Sequence, residues 1–288
     1  MPSRSRERQL AKLAARRQAE RSAARRRRNV IIGTIGAILG IVVIGVGVRA
    51  LTGGNDAGAS ASESPTPSVT ATPSGLPKQV GQVTPQQFPP AKVACGASKP
   101  AAAGKPKPQF ANAPSPDDVL EKGTTYTAVM RTSCGTVEIE LLSKTAPATV
   151  ASFVFLAEKK YFDGQFFHRI DTSIDVIQGG DPLGTGSGGP GYTIPDELTG
   201  KETYGPGTQA MANAGPDSGG SQFFFIFGDN GHNLDGQPNY TVFGKVTSGL
   251  DVLETIGAIP VQDPSSLAGQ QPTEAVYIDS VKILTSKG

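Results

Sequence analysis

The sequence predicts a mainly β domain of barrel or sandwich type over residues 123–288. Three observations carry this. Sixteen of the 18 aromatic residues lie beyond position 122 and none precedes Phe88, and a packed core needs such side chains. Several segments there alternate apolar and polar residues with the period of a strand. Glycine and proline turns separate these segments, and only two stretches have helical spacing.

Taken in order, Tyr126–Thr132 and Thr136–Leu142 alternate around Cys134-Gly135 and read as a hairpin. Thr145-Ala146-Pro147 opens a helical stretch over Val150–Lys159, with Thr145 as its N-cap and proline in the first turn. Phe153, Leu156 and Lys160 lie near one face of it. Phe166–Ile170 and Val176–Gln178 read as short strands, Phe223–Phe227 as a buried strand and Tyr240–Val246 as another. Leu250–Ile256 reads as a second short helix and Val276–Leu284 as a closing strand.

What precedes this domain differs in kind. The net charge of +2 conceals a split, because residues 1–28 carry 11 Lys and Arg against 2 Glu. Val30–Val48 follows with 19 uncharged residues, mostly Ile, Val, Gly and Leu. As a helix this run spans about 28 Å, enough for the hydrocarbon core of a bilayer. The expectation is a transmembrane signal-anchor over residues 29–51, with the basic tail 1–28 in the cytoplasm and the rest of the chain outside it. That placement disfavours nucleic acid as the partner of the tail. Residues 52–122 hold 12 of the 23 prolines and much Ser, Thr, Ala and Gly, and read as a disordered linker. The only cysteines are Cys95 and Cys134. A disulfide suits an oxidising compartment, and two buried thiols are the alternative. Two Cys and two His without ligand spacing give no reason to expect a metal.

The chemistry concentrates in two places. Phe167-His168-Arg169 offers one fixed cation. Met211–Phe225 combines small residues, a glycine turn and an aromatic run. Together they suit a surface with an apolar pocket, bare backbone and one guanidinium, able to act on a peptide without nucleophile, metal or cofactor.

Phe167-His168-Arg169-Ile170, Gln178-Gly179-Gly180-Asp181, Met211–Phe225 and Val242-Phe243-Gly244-Lys245-Val246 occur in an order that closely resembles the cyclophilin family of peptidyl-prolyl cis-trans isomerases. The resemblance runs from about Tyr126 to Leu284. It implies a closed eight-stranded antiparallel β-barrel capped by two α-helices, here preceded by one transmembrane helix and the linker. It implies a cofactor-free isomerase acting on X-Pro bonds of extracytoplasmic proteins and assisting their folding. Partners are then proline-containing segments of envelope or secreted proteins, and a monomer is expected. Arg169 matches the catalytic arginine and Gln178 the glutamine that orients it. Asn213 matches the residue whose main chain pairs with substrate, with Ala212 and Ala214 leaving room and Gln222 at the pocket edge. Val176, Phe224 and Leu234 match the proline pocket. Tyr240 stands where animal members often have histidine, and His168 adjoins the arginine.

The sequence also departs from the family. Eight residues separate Arg169 from Gln178 where the common pattern has seven. Counting back from Gln178, Asp175 falls at a pocket position usually held by phenylalanine, with Ile174 beside it. A carboxylate there favours an alternative, a non-catalytic module that binds proline peptides. Asn233 replaces a frequent tryptophan, which implies weak cyclosporin binding.

Two motifs are decoys. Asp217-Ser218-Gly219-Gly220 resembles a protease nucleophile motif, but neither His168 nor His232 sits where it would activate the serine. Gly184–Gly189 fits a dinucleotide pattern, but Pro190-Gly191-Tyr192-Thr193-Ile194-Pro195 cannot begin the helix that pattern requires.

Overall fold

A strand with one buried face buries every second residue, and the hairpin that begins at Thr124 follows that rule. It places Tyr126, Ala128, Met130, Val137, Ile139 and Leu141 inside. The computed structural model describes residues 75–236, 238–266 and 270–287. Along the chain the elements are Gln79–Val83 (β1), Lys107–Phe110 (β2), Pro116–Val119 (α1), Thr124–Thr132 (β3), Gly135–Leu141 (β4), Pro147–Glu158 (α2), Arg169–Asp171 (β5), Val176–Gly179 (β6), Thr208–Met211 (β7), Phe223–Ile226 (β8), Val242–Ser248 (β9), Leu250–Gly257 (α3) and Ile278–Lys287 (β10). Short 3-10 turns occupy Ala94–Gly96 and Asp229–Leu234.

Eight strands form one antiparallel sheet in the order β10-β3-β4-β9-β7-β8-β6-β5, and β1 pairs with β2 in a separate ribbon. The expected strand number and sense are present, but the expected closed barrel is not. Among the described residues no ladder joins β5 to β10. The two margins meet through one antiparallel bridge, Phe166 to Tyr277. Phe167 N–H donates to Val276 O at 3.0 Å beside it, and Ile278 N–H to Gln165 O at 2.8 Å. With only three residues, β5 cannot sustain a ladder on both edges. Ile170 N–H turns instead to Gln270 O, 2.8 Å away in the loop before β10.

The interior is aromatic. Phe153 of α2 stacks on Phe162 with centroids 4.9 Å apart and meets Phe223 and Phe243 at 5.7 and 5.4 Å. Nearly all of α2 beyond its first turn is buried, so helical amphipathicity along it is weak. Its start corrects the expected cap. Thr145 is not the N-cap, for its hydroxyl donates back to Leu142 O at 3.2 Å. The free amides of Ala148 and Thr149 donate to the carboxylate of Glu197, each at 2.9 Å. A carboxylate at this end satisfies orphan N–H groups and complements the helix dipole. Glu197 is held in turn by its own N–H donating to Thr241 Oγ1 at 2.8 Å.

Residues 75–122, expected within a disordered linker, carry β1, β2 and α1 and form a strap packed on the sheet domain, which therefore takes in residues ahead of 123. The composition is poor in apolar residues, and Leu76, Val80 and Phe88 are exposed, but two others are inserted against the domain. Phe110 is buried with its ring 4.8 Å from Phe155, and Ala94 is buried beside a parallel bridge from Val93 to Ala275. Cys95 and Cys134 are joined in a disulfide, their Cα atoms 5.2 Å apart. The expected basic tail, membrane segment 29–51 and first part of the linker lie outside the described residues. Among the described residues no helix is long and apolar enough to cross a membrane.

The disulfide joins residues separated by 39 positions, and closing such a loop stabilises the folded state by about 4 kcal/mol in the chain-entropy account. Paired Cys95→Ser and Cys134→Ser substitutions are expected to lower the unfolding free energy by about 2–4 kcal/mol, read from urea titrations. An unchanged midpoint would show that the strap is held without the bond.

Candidate functional site

Alternation along β8 sends Phe223 and Phe225 into the aromatic interior and turns Phe224 to the opposite face. Strand register then assembles a row on that face. Arg169 pairs with Gln178, Gln178 with Phe224, and Phe224 with Ala210. Val176 opposes Ile226 in the next row on the same face. Two expected site residues, Arg169 and Gln178, and one expected pocket residue, Phe224, are therefore neighbours because of pairing across three strands.

The guanidinium of Arg169 is held on every nitrogen. Nε donates to Gln270 Oε1 at 2.6 Å, Nη1 to Gln178 Oε1 at 3.1 Å, and Nη2 to Asp171 Oδ2 at 2.6 Å. The other oxygen of Asp171 accepts from Ser173 N–H and its hydroxyl. Burial lowers the pKa of Arg169, while Asp171 and then Tyr240 act to raise it. The side chain keeps 17% of its surface exposed, so a restrained cation faces outward. Gln178 continues the network, its Nε2 donating to Gln222 Oε1 at 3.1 Å. Gln222 Nε2 donates to Gly186 O and Gly188 O at 3.0 and 2.9 Å. Asp171 and Gln270 are absent from the sequence-based site. Asp171 was within reach, since i and i+2 share a strand face. Gln270, 101 residues away in a loop, left no local signal.

An apolar surface flanks this cation. Val176, Ala212, Phe224, Leu234 and Tyr240 are 2–6% exposed, yet none belongs to the aromatic interior. Phe224 and Tyr240 meet edge-to-face at 5.3 Å, and Tyr204 reaches Tyr240 at 6.2 Å. Burial raises the Tyr240 hydroxyl to about 12, with Arg169 pulling it down, so this hydroxyl is neutral and close to the cation. Leu234 ends the 3-10 turn Asp229–Leu234.

Asn213 presents backbone. Among the described residues its main-chain N–H and C=O have no hydrogen-bond partner, while its side chain is tied to Asn239 O at 2.8 Å. Ala212 N–H is used internally by Gln222 O. Ala214 is exposed, and its N–H donates to Ser218 Oγ at 2.8 Å. Ser218 itself donates to Gly215 O at 2.6 Å, which makes this serine a turn residue.

Asp175 corrects an expectation. It sits at a turn with φ of 49° and is buried. Its carboxylate is directed into the 3-10 turn, accepting from Asn230 N–H at 2.8 Å and Asn230 Nδ2 at 3.1 Å. The extra residue between β5 and β6 is absorbed by this turn, and Ile174 is buried beside it. The carboxylate thus serves loop structure, and the reading of a free acid in the pocket falls away.

The cyclophilin type peptidyl-prolyl cis-trans isomerase/CLD family model matches residues 127–283. A peptidyl-prolyl cis-trans isomerase of Helicobacter pylori is 45% identical over 139 residues, covering 47% of this chain and 83% of the relative. Peptidyl-prolyl cis-trans isomerase B of Bacillus subtilis is 51% identical over 116 residues, covering 40% and 78%. The probable peptidyl-prolyl cis-trans isomerase A of Mycobacterium leprae is 39% identical over 173 residues, covering 54% and 91%.

His168 is the remaining titratable group. It is buried, and its Nδ1 has no partner among the described residues. Burial pushes its pKa down to about 4, with Asp181 pulling upward and Arg169 adding to the depression. It is therefore neutral at neutral pH. An unfolded histidine titrates near 6.5. Between these values the unfolded chain binds a proton that the folded chain refuses, so stability falls as pH drops. The unfolding free energy is expected to decline by roughly 1 kcal/mol per pH unit from about 6.5 to 4. Urea titrations of the parent and His168→Gln should show a shallower slope in the variant. Equal slopes would assign the acid sensitivity to other groups.

Proposed function

The chain belongs to the cyclophilin-type peptidyl-prolyl cis-trans isomerase family, and from that premise we propose that it catalyses X-Pro rotation through the guanidinium of Arg169. The uncatalysed barrier is about 18–20 kcal/mol because twisting the amide destroys its resonance. At the twisted geometry the lone pair returns to the prolyl nitrogen, which pyramidalises and becomes a hydrogen-bond acceptor. In the planar ground states it is not one. A donor aimed at that nitrogen therefore stabilises the transition state selectively, which is the requirement for catalysis.

The observation that carries this reading is the threefold restraint of Arg169. A guanidinium has five N–H donors, and Asp171, Gln178 and Gln270 engage three of them. The two left over are held on a fixed plane, so little entropy is lost when substrate arrives. Phe224, Val176, Leu234 and Tyr240 suit the pyrrolidine ring, and the unpartnered main chain of Asn213 suits pairing with the substrate backbone. A non-catalytic binding module drew its support from a carboxylate in the pocket, and Asp175 does not supply one.

The proposal extends to location. The 19-residue apolar run behind a strongly basic tail supports a membrane anchor at 29–51, with the isomerase domain outside the cytoplasm. A Cys95–Cys134 disulfide is consistent with an oxidising compartment. Its clients there are segments of envelope or secreted proteins whose folding waits on proline isomerisation.

Arg169→Ala in the full chain is expected to lower kcat/KM on a prolyl tetrapeptide by about 100-fold or more, in a protease-coupled assay. Arg169→Lys should recover little, because an ammonium cannot keep three planar partners and still present an aimed donor. A rate unchanged by Arg169→Ala overturns the mechanism. The anchor is checked by fractionation and external protease treatment of intact cells. The full chain should sediment with membranes and lose its domain to the protease, and recovery in the soluble fraction counts against it.

A further inference from the structure

Gln222 and Gln178 form a relay whose direction is set at its far end. Each primary amide has one accepting and one donating end. Gly186 O and Gly188 O can only accept, so they compel Gln222 to turn its NH2 toward them. Gln222 Oε1 then faces Gln178 and fixes that NH2. Gln178 Oε1 is left facing Nη1 of Arg169. If Gln222 turned over, Gln178 would follow and present NH2 to a cation.

The two carbonyls that set this direction belong to a loop with little order of its own. Asp181–Gly191 contains glycine at 184, 186, 188, 189 and 191, and such a segment loses more entropy on ordering than any other composition. Asp181 restrains its start, accepting from Leu183 N–H and Gly186 N–H. Further grip comes from the strap. Gln86 and Gln87 N–H both donate to Leu183 O, at 3.0 and 2.9 Å. Phe110 N–H donates to Pro190 O at 2.8 Å, and Gln109 Nε2 to Gly189 O at 2.6 Å. The approach is close enough to need glycine. A Cβ on Gly184 would stand 2.8 Å from Gln87 O, and one on Gly191 would stand 2.7 Å from Phe110 O.

We propose that the strap is a positioning element of the active site, with Gln109 and the Gln86–Gln87 amides holding the glycine loop whose carbonyls orient Gln222, Gln178 and, through them, Arg169. None of these strap residues lies in the row that faces substrate. Their effect is on the direction of the relay. The proposal rests on the reading of Arg169 as the catalytic group for its kinetic consequence, but not for its structural one.

The test uses the full chain in detergent with Gln109→Leu, Gln222→Leu and the double variant. Loss of one neutral hydrogen bond from the relay is expected to lower kcat by about fivefold with KM within about twofold. Because Gln109 acts through Gln222, the double variant should be no slower than Gln222→Leu alone. Side-chain amide NMR signals of Gln178 and Gln222 should shift in Gln109→Leu. Gly191→Ala, which wedges strap from loop, should reproduce those shifts if Gln109→Leu folds poorly. Multiplying rate losses in the double variant, or Gln178 and Gln222 signals unmoved by both strap-side variants, overturn the proposal. An Arg169→Ala chain with the parent rate would overturn the catalytic reading instead, and the NMR signals would still decide the relay.

Discussion

A cation withdrawn from water must be satisfied by fixed partners, and Arg169 imposes that constraint on much of the domain. Its carboxylate partner lies two residues along the same strand. Its amide partners come from β6 and from a loop more than a hundred residues later in sequence. A short β5 is compatible with this role. The strand contributes register toward β6 and leaves its other margin free for Gln270, which a continuous ladder would have displaced. The incomplete closure of the sheet and the restraint of the guanidinium are thus two aspects of one arrangement.

The aromatic interior is separated from the site by the pleat. Phe223 and Phe225 build the interior while Phe224, between them, faces the other way. The same tripeptide therefore contributes to stability and to the site, and neither use compromises the other. Buried Tyr240, neutral beside the cation, gives the pocket a polar edge without a second charge.

Much of this was legible because it is periodic or motif-bound. The β3–β4 hairpin announces itself by alternation, and Phe167-His168-Arg169 and Met211–Phe225 carry enough specific residues to be aligned without a structure. What was hidden is non-local. Thr145 looks like a cap by every local rule, yet Glu197 supplies the cap from a distant loop. Asp175 counts into the pocket by spacing, but an αL turn absorbs the extra residue and redirects its side chain to Asn230. The strap has the composition of a tether, and composition cannot register that Phe110, Ala94, one covalent bond and a set of backbone hydrogen bonds fasten it. Thr208–Met211 also went unread, for a four-residue buried strand has too few positions to display a period.

The Cys95–Cys134 bond has a mechanical meaning as well. A pull on the chain ahead of Gly75 meets the β1–β2 ribbon first and peels it one pair at a time. At Cys95 the tension leaves the main chain and crosses through sulfur directly into the turn between β3 and β4. Once the ribbon has parted, residues 96–133 form a branch that the disulfide bypasses. The ribbon can therefore yield like a fuse while β3 keeps its place in the sheet, and the disulfide decides where an external force enters the fold.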